Sequence, residues 1–97
     1  MHLKLPHKFT KSEALQRVKQ MLEQGRTQLA EKVTIQEERW ENDILHFAFT
    51  AEGQSISGQL TVEDHDYIID AKLPLMLKLF EGKIEKMIQE QAAKALG

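Results

Sequence analysis

At 97 residues, with 41% hydrophobic and 29% charged, the chain has the make-up of one globular domain, residues 1–97, which buries roughly two-thirds of its unfolded surface; this composition argues against disorder or a fibrous repeat. It has no cysteine, which removes disulfides, thiolate metal sites and a thiol nucleophile and fits a reducing cytoplasm; no apolar run reaches transmembrane length, and Met1-His2-Leu3-Lys4-Leu5-Pro6 lacks the core of a signal peptide. The net charge of −2 hides an acidic middle, where residues 21–70 carry three Lys/Arg against eleven acids, so nucleic acid is not an expected partner.

Leu3 and Leu5 alternate ahead of Pro6 and predict a short edge strand. Thr10-Lys11-Ser12-Glu13 has capping-box spacing and starts a helix in which Ala14, Leu15, Val18, Met21, Leu22, Gly25 and Leu29 share one apolar stripe. Gly25 on that stripe predicts either close packing or a break, and close packing is the reading adopted. From Val33 to Lys72 the period becomes two, punctuated at Asn42-Asp43, Glu52-Gly53-Gln54 and Asp64-His65-Asp66, which predicts four antiparallel strands.

The inward sets are Leu45, Phe47 and Phe49; Ile56, Gly58, Leu60 and Val62; and Tyr67, Ile69, Ala71 and Leu73. Val33 and Ile35 disagree in parity with Trp40, and a β-bulge near Glu37-Glu38 reconciles them. Pro74 then opens a last helix whose core stripe is Leu77, Phe80, Ile84, Met87 and Ile88, running toward Ala95. The fold class is α+β: a curved antiparallel sheet of four to five strands with two helices, in the order β-α-β-β-β-β-α.

Leu75 and Leu79 point away from the core stripe of the last helix, so its first two turns are apolar nearly all round. Either the first helix or a loop covers that second face, or a partner does. Gly82 lies on the same side, where a missing side chain admits close approach, and Lys78, Lys83 and Lys86 flank it as snorkelling or simply solvated cations. An alternative site is an apolar cavity between sheet and last helix, lined by Phe47, Phe49, Leu60, Ile69, Phe80 and Ile84, although residues of this kind are ordinarily needed to fill the core.

His2, His7, His46 and His65 have no helical i, i+4 spacing, and the Asp64-His65-Asp66 turn points its side chains in different directions, so no metal site is expected. Ser55-Ile56-Ser57-Gly58 has no nucleophile elbow, no glycine-rich phosphate loop occurs, and Glu37-Glu38 and Asp64/Asp66 read as hydrophilic strand and turn residues rather than a catalytic pair. For thioester chemistry only Tyr67 or His46 can be nominated as the polar group. The expectation is therefore no catalytic residue and no cofactor.

Trp40-Glu41-Asn42-Asp43-Ile44-Leu45-His46-Phe47, Gly58-Gln59-Leu60-Thr61-Val62, and Leu73-Pro74-Leu75 leading to Phe80-Glu81-Gly82-Lys83-Ile84-Glu85 together resemble the polyhydroxyalkanoic acid system proteins of gammaproteobacteria. The resemblance spans nearly the whole chain, and its motifs are fold positions rather than catalytic ones. It implies a place in polyhydroxyalkanoate metabolism; with no cysteine and no catalytic residue, the expectation is a cytoplasmic accessory protein that acts by binding. Its implied partner is a granule surface or a granule-bound protein; a second copy of the chain and an acyl or hydroxyacyl ligand are the alternatives.

Overall fold

The computed structural model describes the backbone of residues 1–95 and the side chains of residues 1–94. Five strands, β1 (His2–Pro6), β2 (Val33–Glu41), β3 (Ile44–Ala51), β4 (Gln54–Val62) and β5 (Asp66–Lys72), form one open antiparallel sheet in the order β1-β5-β4-β3-β2. The helices are α1 (Lys11–Gln28), the four-residue α2 (Leu75–Lys78) and α3 (Glu81–Ala95). The α+β class and element order expected from the sequence hold, with the last helix divided in two.

The alternation in the strands places the inner face as predicted. Leu45 pairs with Leu60 and Leu60 with Ile69, while Val62 pairs with Tyr67 and Leu5 with Tyr67, so one row of apolar side chains crosses the sheet at each level. Leu3, Leu5, Ala14, Val18, Leu45, Leu60, Val62 and Tyr67 form the buried cluster. Glu52 and Gly53 both take positive φ, 51° and 76°, as a two-residue type I′ hairpin loop requires.

The bulge in β2 falls between Ile35 and Glu37, one step from the expected place. Ile35 then faces Phe49 while Trp40 faces Leu45, which reconciles the odd and even apolar positions of this strand. In α1, the Thr10 hydroxyl accepts from the Glu13 amide at 3.2 Å and donates to the Glu13 carboxylate at 3.3 Å, so Thr10 caps the helix as expected while the carboxylate reaches back to the hydroxyl rather than to the Thr10 backbone amide. Tyr67 fixes α1 to the sheet, its buried hydroxyl donating to the Ala14 carbonyl at 3.2 Å.

Two expectations are corrected. Gly25 neither breaks α1 nor packs closely, since a Cβ there meets nothing within 4 Å and the helix runs on to Gln28. The stripe of the last helix also fails as one surface, because Phe80 and Met87 are exposed at 57% and 56%. The Phe80 amide bonds back only three residues, to the Leu77 carbonyl, and the Phe80 carbonyl then accepts from Ile84. That tight turn ends α2 and re-aims α3, so that Ile88 and Ala92 pack on the core and Phe80 is left outside. The Ala95 side chain, at the far end of the expected stripe, lies outside the described residues.

Gly58 is the glycine whose missing side chain is structurally required. A Cβ there would lie 2.1 Å from the Asp70 carbonyl oxygen and 2.7 Å from the Ala71 Cα, both rigid backbone of the neighbouring strand. Gly58→Ala should therefore destabilise the fold by about 3 kcal/mol or more in urea unfolding. Gly25→Ala, in open space within a helix, should stabilise it by roughly 0.5–1 kcal/mol. Equal effects at the two sites would refute this reading of the strand contact.

Burial raises the pKa of Tyr67, with Arg17 acting weakly in the opposite direction. The folded protein thus holds the phenol proton more firmly than the unfolded chain does, and no pH dependence arises from it while both states stay protonated. Above the ordinary tyrosine value of about 10, the unfolded chain ionises first and stability falls as pH rises. Tyr67→Phe, which removes the only tyrosine, should cost about 1 kcal/mol at neutral pH and flatten the alkaline part of the stability curve measured by denaturant unfolding.

Candidate functional site

Apolar surface is concentrated at the corner between α2 and α3. Leu75 and Leu79 are each 80% exposed, Met76 67% and Phe80 57%, and Met87 extends the same exposed surface into α3. Neither α1 nor a loop covers Leu75 and Leu79. Lys78, Gly82, Lys83 and Lys86 are also exposed, and a Cβ at Gly82 would meet nothing within 4 Å. The Met1 ammonium group donates to the Ala71 carbonyl at 2.8 Å and pairs with Glu81 at 3.1 Å, holding the start of α3 against the end of β5.

Sequence reasoning singled out Leu75 and Leu79 but assigned Phe80 and Met87 to the core and passed over Met76. The signal was present in Leu75-Met76-Leu77-Lys78-Leu79-Phe80, where five of six residues are apolar. A two-turn helix cannot turn five such side chains toward one sheet.

The residues proposed to line an internal cavity separate. Leu60 is buried, Phe47 and Ile69 pack against the core, Phe49 and Ile84 are half-buried, and Phe80 faces solvent. Phe47 and Phe49 stack at 6.1 Å between centroids. The two depressions described are open and neither lies between sheet and last helix: about 560 Å³ on the outer face of the sheet, bordered by His2, His46, Phe47, Gln59, Asp70 and Lys72, and about 340 Å³ beside Lys11 and the Glu63–Asp66 turn.

The outer face carries a row of polar side chains. The amide of Gln59 donates to His46 Nδ1 at 3.3 Å, which leaves Nε2–H of His46 to donate to Glu41 at 3.1 Å. Arg39 donates to Glu41 at 3.1 Å and to Glu37 at 3.4 Å, and His2 pairs with Asp70 across β1 and β5. Every one of these groups is engaged with a neighbour on a strand surface, a pattern that stabilises a wet sheet face. Of the two alternatives nominated for thioester chemistry, alternation places His46 on this face, engaged with Glu41 and Gln59, and Tyr67 on the other, where its hydroxyl donates to the Ala14 carbonyl.

His7 accepts from the Phe9 amide through Nδ1 and donates through Nε2 to the Glu63 carbonyl at 2.8 Å, which makes it a loop fastener. Among the described residues, no three His, Asp or Glu side chains converge to hold a metal ion. No described helix is long and apolar enough to cross a membrane.

The family described as "Putative polyhydroxyalkanoic acid system protein" matches residues 1–96, and the chain belongs to it. No curated protein and no solved structure matches the chain.

Hydrogen bonds from Arg39, then its charge, and then His46 hold the Glu41 carboxyl below its ordinary pKa. Its contribution to stability is therefore present above the unfolded value and is lost as pH falls through the lowered one. A carboxyl NMR titration should place the Glu41 midpoint below an ordinary glutamate, and Arg39→Gln should move it upward. An unmoved midpoint would show that the pair does not persist in solution.

Proposed function

We propose, with membership of the polyhydroxyalkanoic acid system family as the premise, that the chain is a noncatalytic accessory protein of cytoplasmic polyhydroxyalkanoate granules. Its contact surface is the α2–α3 corner, with Leu75 and Leu79 as anchors, Gly82 allowing close approach, and Lys78, Lys83 and Lys86 as flanking cations. The observation that carries this reading is the 80% exposure of both leucines within four residues of each other. A soluble surface does not ordinarily present side chains of this size side by side unless something covers them.

The magnitudes favour a reversible contact. Burying one leucine is worth about 1.5–3 kcal/mol, whereas association costs on the order of 4–15 kcal/mol before any contact is counted. Two leucines alone fall near the lower end of that cost. Met76 and Phe80, exposed beside them, supply the further apolar area that tips the balance. Lysine stems can lie along a polyester surface with their ammonium groups in water.

Co-sedimentation with protein-stripped polyhydroxyalkanoate granules tests the contact directly. Wild type should pellet with the granules and Leu75→Ser/Leu79→Ser should bind at least about tenfold more weakly, once circular dichroism shows both to be folded. A wild-type protein that stays in the supernatant would remove the surface-contact model.

A further inference from the structure

A second apolar area lies at the opposite edge of the sheet. Ile35 is 44% exposed and Leu29 48%. Ile35 is paired across the inner face with Phe49, and Phe49 with Ile56, neither of them buried. This row belongs to the face that α1 and α3 cover elsewhere, yet none of its three members joins the core cluster or packs against it. It leaves a recess in the helical cover at the β2 edge, beside the C-terminal end of α1, with Ile35 exposed and Phe49 and Ile56 half-buried.

The recess and the α2–α3 corner have related positions. Both lie on the helix-bearing side of the sheet, because Ile88 and Ala92 of α3 pack on the same core as Ala14 and Val18 of α1. Both lie at the same end, since α2 follows the last residues of β5 while Ile35 and Ile56 are near the starts of β2 and β4. They occupy opposite edges, because α3 adjoins β1 and the strand order puts β1 and β2 farthest apart. A second copy, turned by a two-fold axis parallel to the strands and laid face to face, brings each corner onto the other copy's recess.

Their charges are opposite as well. Lysine ion pairs are formed by Lys4 and Lys11, so among the described residues the cations of Lys78, Lys83 and Lys86 have no carboxylate partner. Exposed Glu31 and Lys32 lead into β2 and exposed Glu52 lies in the β3–β4 turn at the same end, while Arg26 of α1 is already paired with Glu38. An apolar area rimmed by cations thus has a counterpart rimmed mainly by carboxylates on its own chain.

We infer that the chain forms a two-fold dimer in which the α2–α3 corner of each copy fills the Ile35–Phe49–Ile56 recess of the other. Two identical contacts form together, as closed symmetry requires, so a modest single contact suffices. The dimer stands on this geometry. Its consequence rests on the granule reading above: the corner is sheltered in the dimer and becomes free in the monomer, so self-association and granule contact compete.

Sedimentation velocity on the whole chain, with two charge-reversed variants, tests the arrangement. Lys83→Glu/Lys86→Glu sets like charges against the acidic rim, and Glu31→Lys/Glu52→Lys does the same with opposite sign. Each alone should dimerise at least about tenfold more weakly than wild type, and an equimolar mixture should recover the dimer because both of its contacts are then complementary. A monomeric wild type, variants that dimerise as well as wild type, or a mixture that stays monomeric would each overturn the proposal. Ile35→Ser separates the two ideas: it should abolish the dimer while granule pelleting persists, and a dimer surviving that change would place the contact elsewhere. An Ile35→Ser monomer that never pellets with granules, beside a wild type that dimerises, would instead remove the granule reading and leave the dimer intact.

Discussion

At Gly58 the backbone of β4 runs so close to β5 that a single added carbon would fall 2.1 Å from the Asp70 carbonyl oxygen. This contact lies inside the ladder that sets Leu60 against Ile69 and Val62 against Tyr67. A slip of one residue would turn the whole alternating set of β5 to the wet face. Tyr67 would then lose the Ala14 carbonyl, and α1 would lose its one buried polar link to the sheet. The end of β5 also determines where Leu73 and Pro74 release the chain into α2, so the exposed corner takes its place from the same strand contact.

The parts of the fold legible in the sequence were those where one residue decides one direction. Alternation is such a case: each β-strand position points in or out, and Leu45, Leu60 and Tyr67 are buried as their parity demands. The parity conflict between Ile35 and Trp40 made the bulge legible, although its position within the strand depends on the partner's ladder. Gly25 was misread because absence of a side chain fits both a close neighbour and open space, and only tertiary structure separates them. The division of the last helix was hidden for a related reason. Leu75 to Phe80 is apolar enough to continue a helix, and the turn at Leu79–Phe80 arises from α3 seeking β1, which no local propensity records.

Within the candidate site, the wheel identified Leu75, Leu79 and Gly82 and the surrounding lysines as one outward side, but it treated Phe80 as inward because it assumed a single straight axis. The outer-face row was even less visible. His46, Gln59, Glu41 and Arg39 are scattered in sequence and meet only through the register of three strands. Their mutual hydrogen bonds explain why these titratable side chains, which in isolation invite a catalytic or metal reading, act here as cross-strand partners. Polar groups that satisfy one another on an open surface have little capacity left to polarise a substrate.

An exposed apolar corner on so small a domain has a thermodynamic consequence. The described core depends on few large residues, and Leu45, Val18 and Val62 are its largest fully buried side chains. Turning Phe80 and Met87 inward would add apolar burial of the kind that stabilises small domains. The turn at Phe80 forgoes that gain, yet leaves α3 lying against β1 with Ile88 and Ala92 packed on the core. Stability is thus obtained from one side of α3, while α2 and the turn into α3 keep Leu75, Met76, Leu79 and Phe80 exposed beside Gly82 and the lysines. The same turn that excludes Phe80 from the core generates the surface, so the packing of α3 and the capacity for apolar contact have a single structural origin.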